Sequence, residues 1–172
     1  MENIDKIDKL SAQLREKKDD SNACLALCDS FIEENPHISY GYSVRHEIYR
    51  DQGDLKKALS DCNSAIRFSP SSKIFSFERA VVHQLMQDHP AAIADYTRAF
   101  ALDDEGWFGS FGRFYRAHSY AQIGDREHAM ADWDAMSEDH WTPGFMGLPR
   151  GNKSEVKAAL ERSLAAAKPA KG

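Results

Sequence analysis

The chain has 172 residues and a formal net charge of -5, a length that suits one domain with a real core. Net acidity argues against non-specific nucleic-acid binding. No apolar run approaches the roughly 18–20 residues that a membrane span needs.

The opening residues, MENIDKIDKL, are acidic and amphipathic, without the basic start and apolar run of a secretory signal. A cytoplasmic protein with no membrane partner is the expectation. The first segment, about 5–38, carries the stripe Ile7, Leu10, Leu14 before the turn KKDDS, and then Cys24, Leu27, Cys28 and Phe31. With Cys62 the cysteines number three, an odd count that suits a reducing compartment. No second Cys/His pair stands at the spacing a structural zinc site uses, so packed thiols are expected, and neither metal nor cofactor.

The second segment, 39–72, is clearer. YGYSVRHEIYRDQ has helical spacing, Gly53-Asp54 breaks it, and LKKALSDCNSAIRF puts Leu55, Ala58, Leu59, Cys62, Ala65 and Ile66 on one face. Shifting the chain by 34 residues lays Cys28 on Cys62, Pro36 on Pro70, Ala58 on Ala92 and Asp61 on Asp95. A third unit, 73–106, turns at Asp88-His89-Pro90. A fourth, 107–143, turns at Gly124-Asp125 after a shift of 37 that lays Asp95 on Asp132. A fixed period in this range means stacked two-helix units.

After the repeats, HWTPGFMGLPRGN is rich in Pro and Gly but also carries Trp141, Phe145, Met146 and Leu148, which predicts a linker over 140–152 that packs back on the fourth unit. Asn152 to Glu155 reads as a capping box. It opens a helix over 153–167 with Val156, Ala159, Leu160 and Leu164 on one side, suited to close the end of a stack. Residues 168–172 are expected to be disordered.

The second unit, through Tyr42, Tyr49, Gln52-Gly53-Asp54, Ala58, Ala65-Ile66 and Pro70, resembles the tetratricopeptide repeat. Units three and four resemble it through Ala80, Ala92, Tyr96, Ala99 and Leu102, and through Ala117, Tyr120, Gly124, Asp125, Ala129 and Trp133. The resemblance implies an all-α, right-handed α-solenoid of about four helical hairpins, with first helices lining a concave groove where partners usually bind. Arg45 and Asp61, Arg79 and Asp95, and Arg116 and Asp132 stand 16 residues apart in successive units. Three equivalent pairs predict structural ion pairs inside each hairpin rather than catalysis.

Helical spacing puts Phe111, Phe114 and His118 on the groove side of the fourth unit. The matching positions are Tyr40, Ser43 and Glu47 in the second and Ile74, Phe77 and Val81 in the third, with Arg50 and Gln84 a turn further on. Tyr40, Glu47, Arg50, Phe77, Val81, Gln84, Phe111, Phe114 and His118 are thus the candidate partner-binding residues. The ligand they suggest is an extended peptide or an amphipathic helix. The resulting reading is a non-catalytic adaptor, monomeric or weakly dimeric; the alternative is a dedicated inhibitor that neutralises one partner protein. Members of the resembled family clamp the C-terminal carboxylate of heat-shock chaperones with basic and amide side chains. Lys9 and Gln13 could supply part of such a clamp, but Val44, Ile74 and Glu78 stand where it needs polar or basic groups. No phosphate loop, HExxH or nucleophile motif supports an enzyme. His46 and His83 read as packed histidines. RNA binding would need a basic groove, which Glu47, Asp51 and Glu78 oppose.

Overall fold

The computed structural model describes residues 2–103, 106, 108–139, 141–142 and 150–167. Trp107, the packing expected of Phe145, Met146 and Leu148, and the tail 168–172 lie outside the described residues. The chain divides into two compact units, Met1–Val82 and His83–Gly172. Nine helices and one short strand pair are found among the described residues.

The first unit contains α1 (Glu2–Glu16), α2 (Ser21–Glu34), α3 (Ser39–Asp51), α4 (Leu55–Phe68) and most of α5 (Lys73–Leu85). Asp20 caps α2 by accepting from the Ala23 N–H, and Asp54 caps α4 by accepting from the Lys57 N–H. Each satisfies a helix-end donor that has no partner inside the helix. The α1 stripe is used as its spacing implies: Leu10, Phe31 and Ile38 form a core with Ile7, Leu14, Leu27 and Tyr40 packed on it. Ala58, Cys62 and Val82 form a second core with Tyr49 and Leu59. Cys24, Cys28 and Cys62 are buried free thiols. Burial pushes the Cys28 thiol up to about 12 and raises Cys62 as well, so neither is a thiolate near neutral pH.

The second unit contains the end of α5, α6 (His89–Ala101), α7 (Gly109–Gln122), α8 (Arg126–Asp134), β1 (Trp141–Thr142), β2 (Gly151–Asn152) and α9 (Lys153–Ala166). Asp88 and Asp125 cap α6 and α8, and Pro90 sits in the first turn of α6, where a missing N–H does no harm. Three of the hairpin turns use a left-handed residue: Gly53 (φ 78), Gln87 (φ 62) and Gly124 (φ 79). Alanines let the helices approach, with Ala92, Ala99, Ala117, Ala121 and Ala129 wholly buried. Gly112 belongs to the same pattern, because a Cβ there would lie 2.6 Å from the Phe100 ring.

An all-α reading did not foresee the strand pair, in which β1 and β2 run antiparallel with Trp141 opposite Asn152 and Thr142 opposite Gly151. Backbone groups outside any helix still need partners, and pairing the two ends of the Pro/Gly-rich segment supplies them. The capping box is formed: Asn152 accepts from the Glu155 N–H, and Glu155 reaches back to the Asn152 N–H. Helix α9 packs chiefly on α7, and also on α8. Buried Lys153 fastens it, donating from Nζ to the Met136 carbonyl and Glu138 Oε1, both at 2.8 Å. The Trp133 indole N–H donates back to the Lys153 carbonyl.

Two of the arginine pairs are bidentate. Arg45 donates from Nε and Nη2 to Asp61 at 2.8 and 2.7 Å, and Arg116 does the same to Asp132 at 2.8 and 2.7 Å. For the third, Arg79 belongs to the first unit and Asp95 to the second. Each arginine also spends Nη1 on the second helix of the preceding hairpin: Arg45 on Asp29, Arg79 on Asn63 and Arg116 on Thr97. Those three acceptors follow the same period of 34 residues.

Candidate functional site

In the first unit, α1 and α3 border an open hollow of about 410 Å³, lined by Ser11, Leu14, Arg15, Lys18, Tyr40, Val44 and Glu47. Tyr40, Val44 and Glu47 stand one and two turns apart on α3, so their side chains share a face. Tyr40 is held by a 2.8 Å hydrogen bond between its hydroxyl and Ser11 Oγ. Arg15 is steadied by donating from Nε to the Ser11 carbonyl at 3.2 Å. The hollow therefore has an aliphatic floor of Leu14 and Val44, a fixed phenol, two cations on the α1 side and a carboxylate on the α3 side.

Of the candidate residues read from the sequence, Tyr40 and Glu47 line this hollow and Arg50 is half-buried nearby on α3. Phe111 is exposed, at 45 %, in the second unit. The others correct the reading. Phe77 is 8 % exposed, Val81 7 %, Gln84 7 % and Phe114 0 %, so they are packing residues and not an aromatic wall. The reason is a rotation along the helix. Tyr40, Ile74 and Phe111 are equivalent positions, and the last two stay open. Three residues further on, a helix has turned back by about 60°. At that angle Phe77 and Phe114 pack instead of facing solvent.

His118 also leaves the expected groove. Its Nδ1 lies 3.2 Å from the Gln84 amide, whose oxygen accepts from the Tyr96 hydroxyl at 2.7 Å. Its Nε2 lies 3.2 Å from the Gln122 amide, which donates onward to Ser163 Oγ on α9 at 3.3 Å. Here the ring is one link in a polar chain that ties α5, α6, α7 and α9 together. Burial, aided by neighbouring His89, lowers His118 to about 4, so it is neutral in this chain.

A second cluster in the first unit has unusual electrostatics. His46 and Glu47 on α3 and Glu78 on α5 bring their ligating atoms within 4.8 Å of one another. Burial pushes Glu78 up to about 8, with Glu47 adding to the rise and Arg50 opposing it. Glu47 is raised too, by desolvation of its carboxyl group against the pull of Arg50. His46, with a side chain 1 % exposed, is lowered to about 4 by burial and by Arg50. Backbone acceptors at Ser43 and Tyr42 offset this in part, yet neither ring nitrogen completes a hydrogen bond.

Successive capped helical hairpins with small residues at their contacts make the chain an all-α solenoid of the tetratricopeptide-repeat type. No family model matches the sequence, and no curated protein matches it. Solved structures do. The TPR2B domain of yeast Sti1, in a complex with pHsp70, matches with a TM-score of 0.63 at 20 % identity, over 68 % of this chain and 98 % of that one. MamA matches with a TM-score of 0.69 at 13 % identity, over 94 % of this chain and 80 % of that one. A tetratricopeptide repeat protein from Parabacteroides merdae matches with a TM-score of 0.71 at 18 % identity, over 94 % of this chain but 61 % of that one. Among the described residues, no helix is long and apolar enough to cross a membrane.

Proposed function

We propose that the chain is a non-catalytic protein-interaction module, an adaptor that holds an extended peptide in the hollow between α1 and α3. The observation that carries this is the make-up of the hollow: apolar Leu14 and Val44 beside exposed Arg15 and Lys18, with Tyr40 fixed by Ser11. Cations beside an aliphatic floor fit a segment in which an acidic residue neighbours an apolar one. The floor gains from burial and the charges set orientation. The similar fold of Sti1 TPR2B, solved with pHsp70, supports a protein segment as the class of ligand. A carboxylate clamp of the chaperone type is not the mode, because Val44 supplies an apolar surface where a polar group is required.

A selection from a random peptide library on the immobilised protein tests this. Enriched peptides should pair Asp or Glu with an apolar neighbour. Their affinity, read by fluorescence anisotropy, should fall at least tenfold in Val44→Asp and in Lys18→Glu, both confirmed folded by circular dichroism. Phe111→Ser should bind as the wild type does. Peptides that bind Val44→Asp unchanged would remove the hollow from the account.

A further inference from the structure

The cluster of His46, Glu47 and Glu78 has the chemistry of a ligand set. A buried polar atom without a hydrogen bond is rare in a folded protein, and His46 has two of them, Nδ1 and Nε2. Nε2 points at Glu78 Oε2 from 3.8 Å, and Glu47 brings a second carboxylate to the same place. A divalent cation would answer both features, taking the ring's lone pair and neutralising two crowded carboxylates. We propose that His46, Glu47 and Glu78 bind a single divalent transition-metal ion of the zinc type.

The donor set selects the ion. Imidazole with carboxylates suits Zn²⁺ and its neighbours, whereas Mg²⁺ and Ca²⁺ prefer oxygen alone. The geometry is close to what coordination needs. Bonds of about 2.0–2.2 Å in a tetrahedral site place ligand atoms about 3.3–3.6 Å apart. His46 and Glu78, at 3.8 Å, need only a small approach to reach this. Glu47 is exposed as a residue although its carboxyl group is desolvated, and rotation of its side chain would close the remaining gap. The carbonyls of Tyr42 and Ser43 act on the ring without completing a hydrogen bond to it. A small turn of the imidazole on metal binding would let Nδ1–H donate to one of them, the outer support a ligating histidine normally has, and leave the Nε2 lone pair for the metal. Arg50 is the opposing charge, since it acts on both His46 and Glu78. Three protein ligands would leave the fourth position of a tetrahedral ion for water. Glu47 also lines the peptide hollow, whereas His46 and Glu78 lie outside its lining.

The test uses the full chain after chelator treatment, titrated with Zn²⁺ by calorimetry and with Co²⁺ by visible absorption. The expected result is a saturable 1:1 complex with Co²⁺ bands of an N/O site and a melting temperature raised by Zn²⁺. Glu78→Gln keeps the shape and removes the ligating carboxylate, so it should fold, and it should weaken binding about tenfold or more. His46→Gln should do the same and abolish the Co²⁺ spectrum. His128→Gln, which removes an exposed histidine, should change nothing. Absence of a saturable complex, equal affinity in Glu78→Gln, or equal binding of Mg²⁺ would each overturn the proposal. If His46→Gln does not fold, Glu78→Gln decides alone.

Discussion

Arg45 holds two carboxylates in different surroundings, which makes it an internal control on the energetics of the repeat. Asp61 has a side chain 5 % exposed and Asp29 one 58 % exposed, and Arg45 itself is 20 % exposed. Replacing Arg45 by Met keeps the apolar stem and removes the guanidinium. Asp61 then loses two charge-assisted hydrogen bonds and has almost no water to replace them, a loss of about 3 kcal/mol. Asp29 turns to solvent instead, so Asp29→Asn should cost about 0.5 kcal/mol, as exposed pairs do. Urea unfolding followed by circular dichroism measures both. The double variant Arg45→Met/Asp61→Leu should recover most of the loss, because neither charge is left desolvated. Equal costs for the two single variants, or a loss below about 1 kcal/mol in Arg45→Met, would refute burial as the source of the difference.

Other expectations follow from the same structure. His118 titrates at about 4 in the fold against an unfolded value of about 6.5. Between these values the unfolded chain binds more protons, so stability falls as pH drops from about 6.5 to 4, by about 3 kcal/mol from this ring. His46, also lowered to about 4, adds a slope of the same sign, so His118→Gln should remove about half of the fall that the two rings cause in that window. Gln87 occupies the left-handed turn position that Gly53 and Gly124 fill elsewhere. Gln87→Gly should therefore stabilise by up to about 1 kcal/mol, seen as a higher urea midpoint. Lys153→Met leaves the Met136 carbonyl without its donor and should cost about 2 kcal/mol, with faster hydrogen exchange in α9. Glu138→Gln should be nearly neutral, since that carboxylate is 92 % exposed.

Much of the fold was legible because the signals were local or periodic. Asp54, Asp88 and Asp125 cap helices through neighbours three residues on, and the repeat offsets of 34 and 37 exposed the Arg45–Asp61 and Arg116–Asp132 pairs. The second bond of each arginine was not legible. Its acceptors Asp29, Asn63 and Thr97 share a position and a geometry but not a side-chain type. The groove face was misjudged by one step of helical rotation. A stripe of Phe77 and Phe114 looks equally apolar whether it meets solvent or another helix, and only the packing distinguishes the two. Arg15 and Lys18 escaped notice because the first unit departs most from the repeat. The link between His46 and Glu78 depends on two helices meeting, for which no short motif exists.

The three bridges made by the arginine Nη1 atoms differ in kind: a carboxylate at Asp29, an amide at Asn63 and a hydroxyl at Thr97. Ionic strength screens an exposed charge pair and leaves neutral acceptors almost untouched. Dissolved salt thus slackens one rung of this ladder selectively, and the N-terminal hairpin is the rung whose tether responds to the medium.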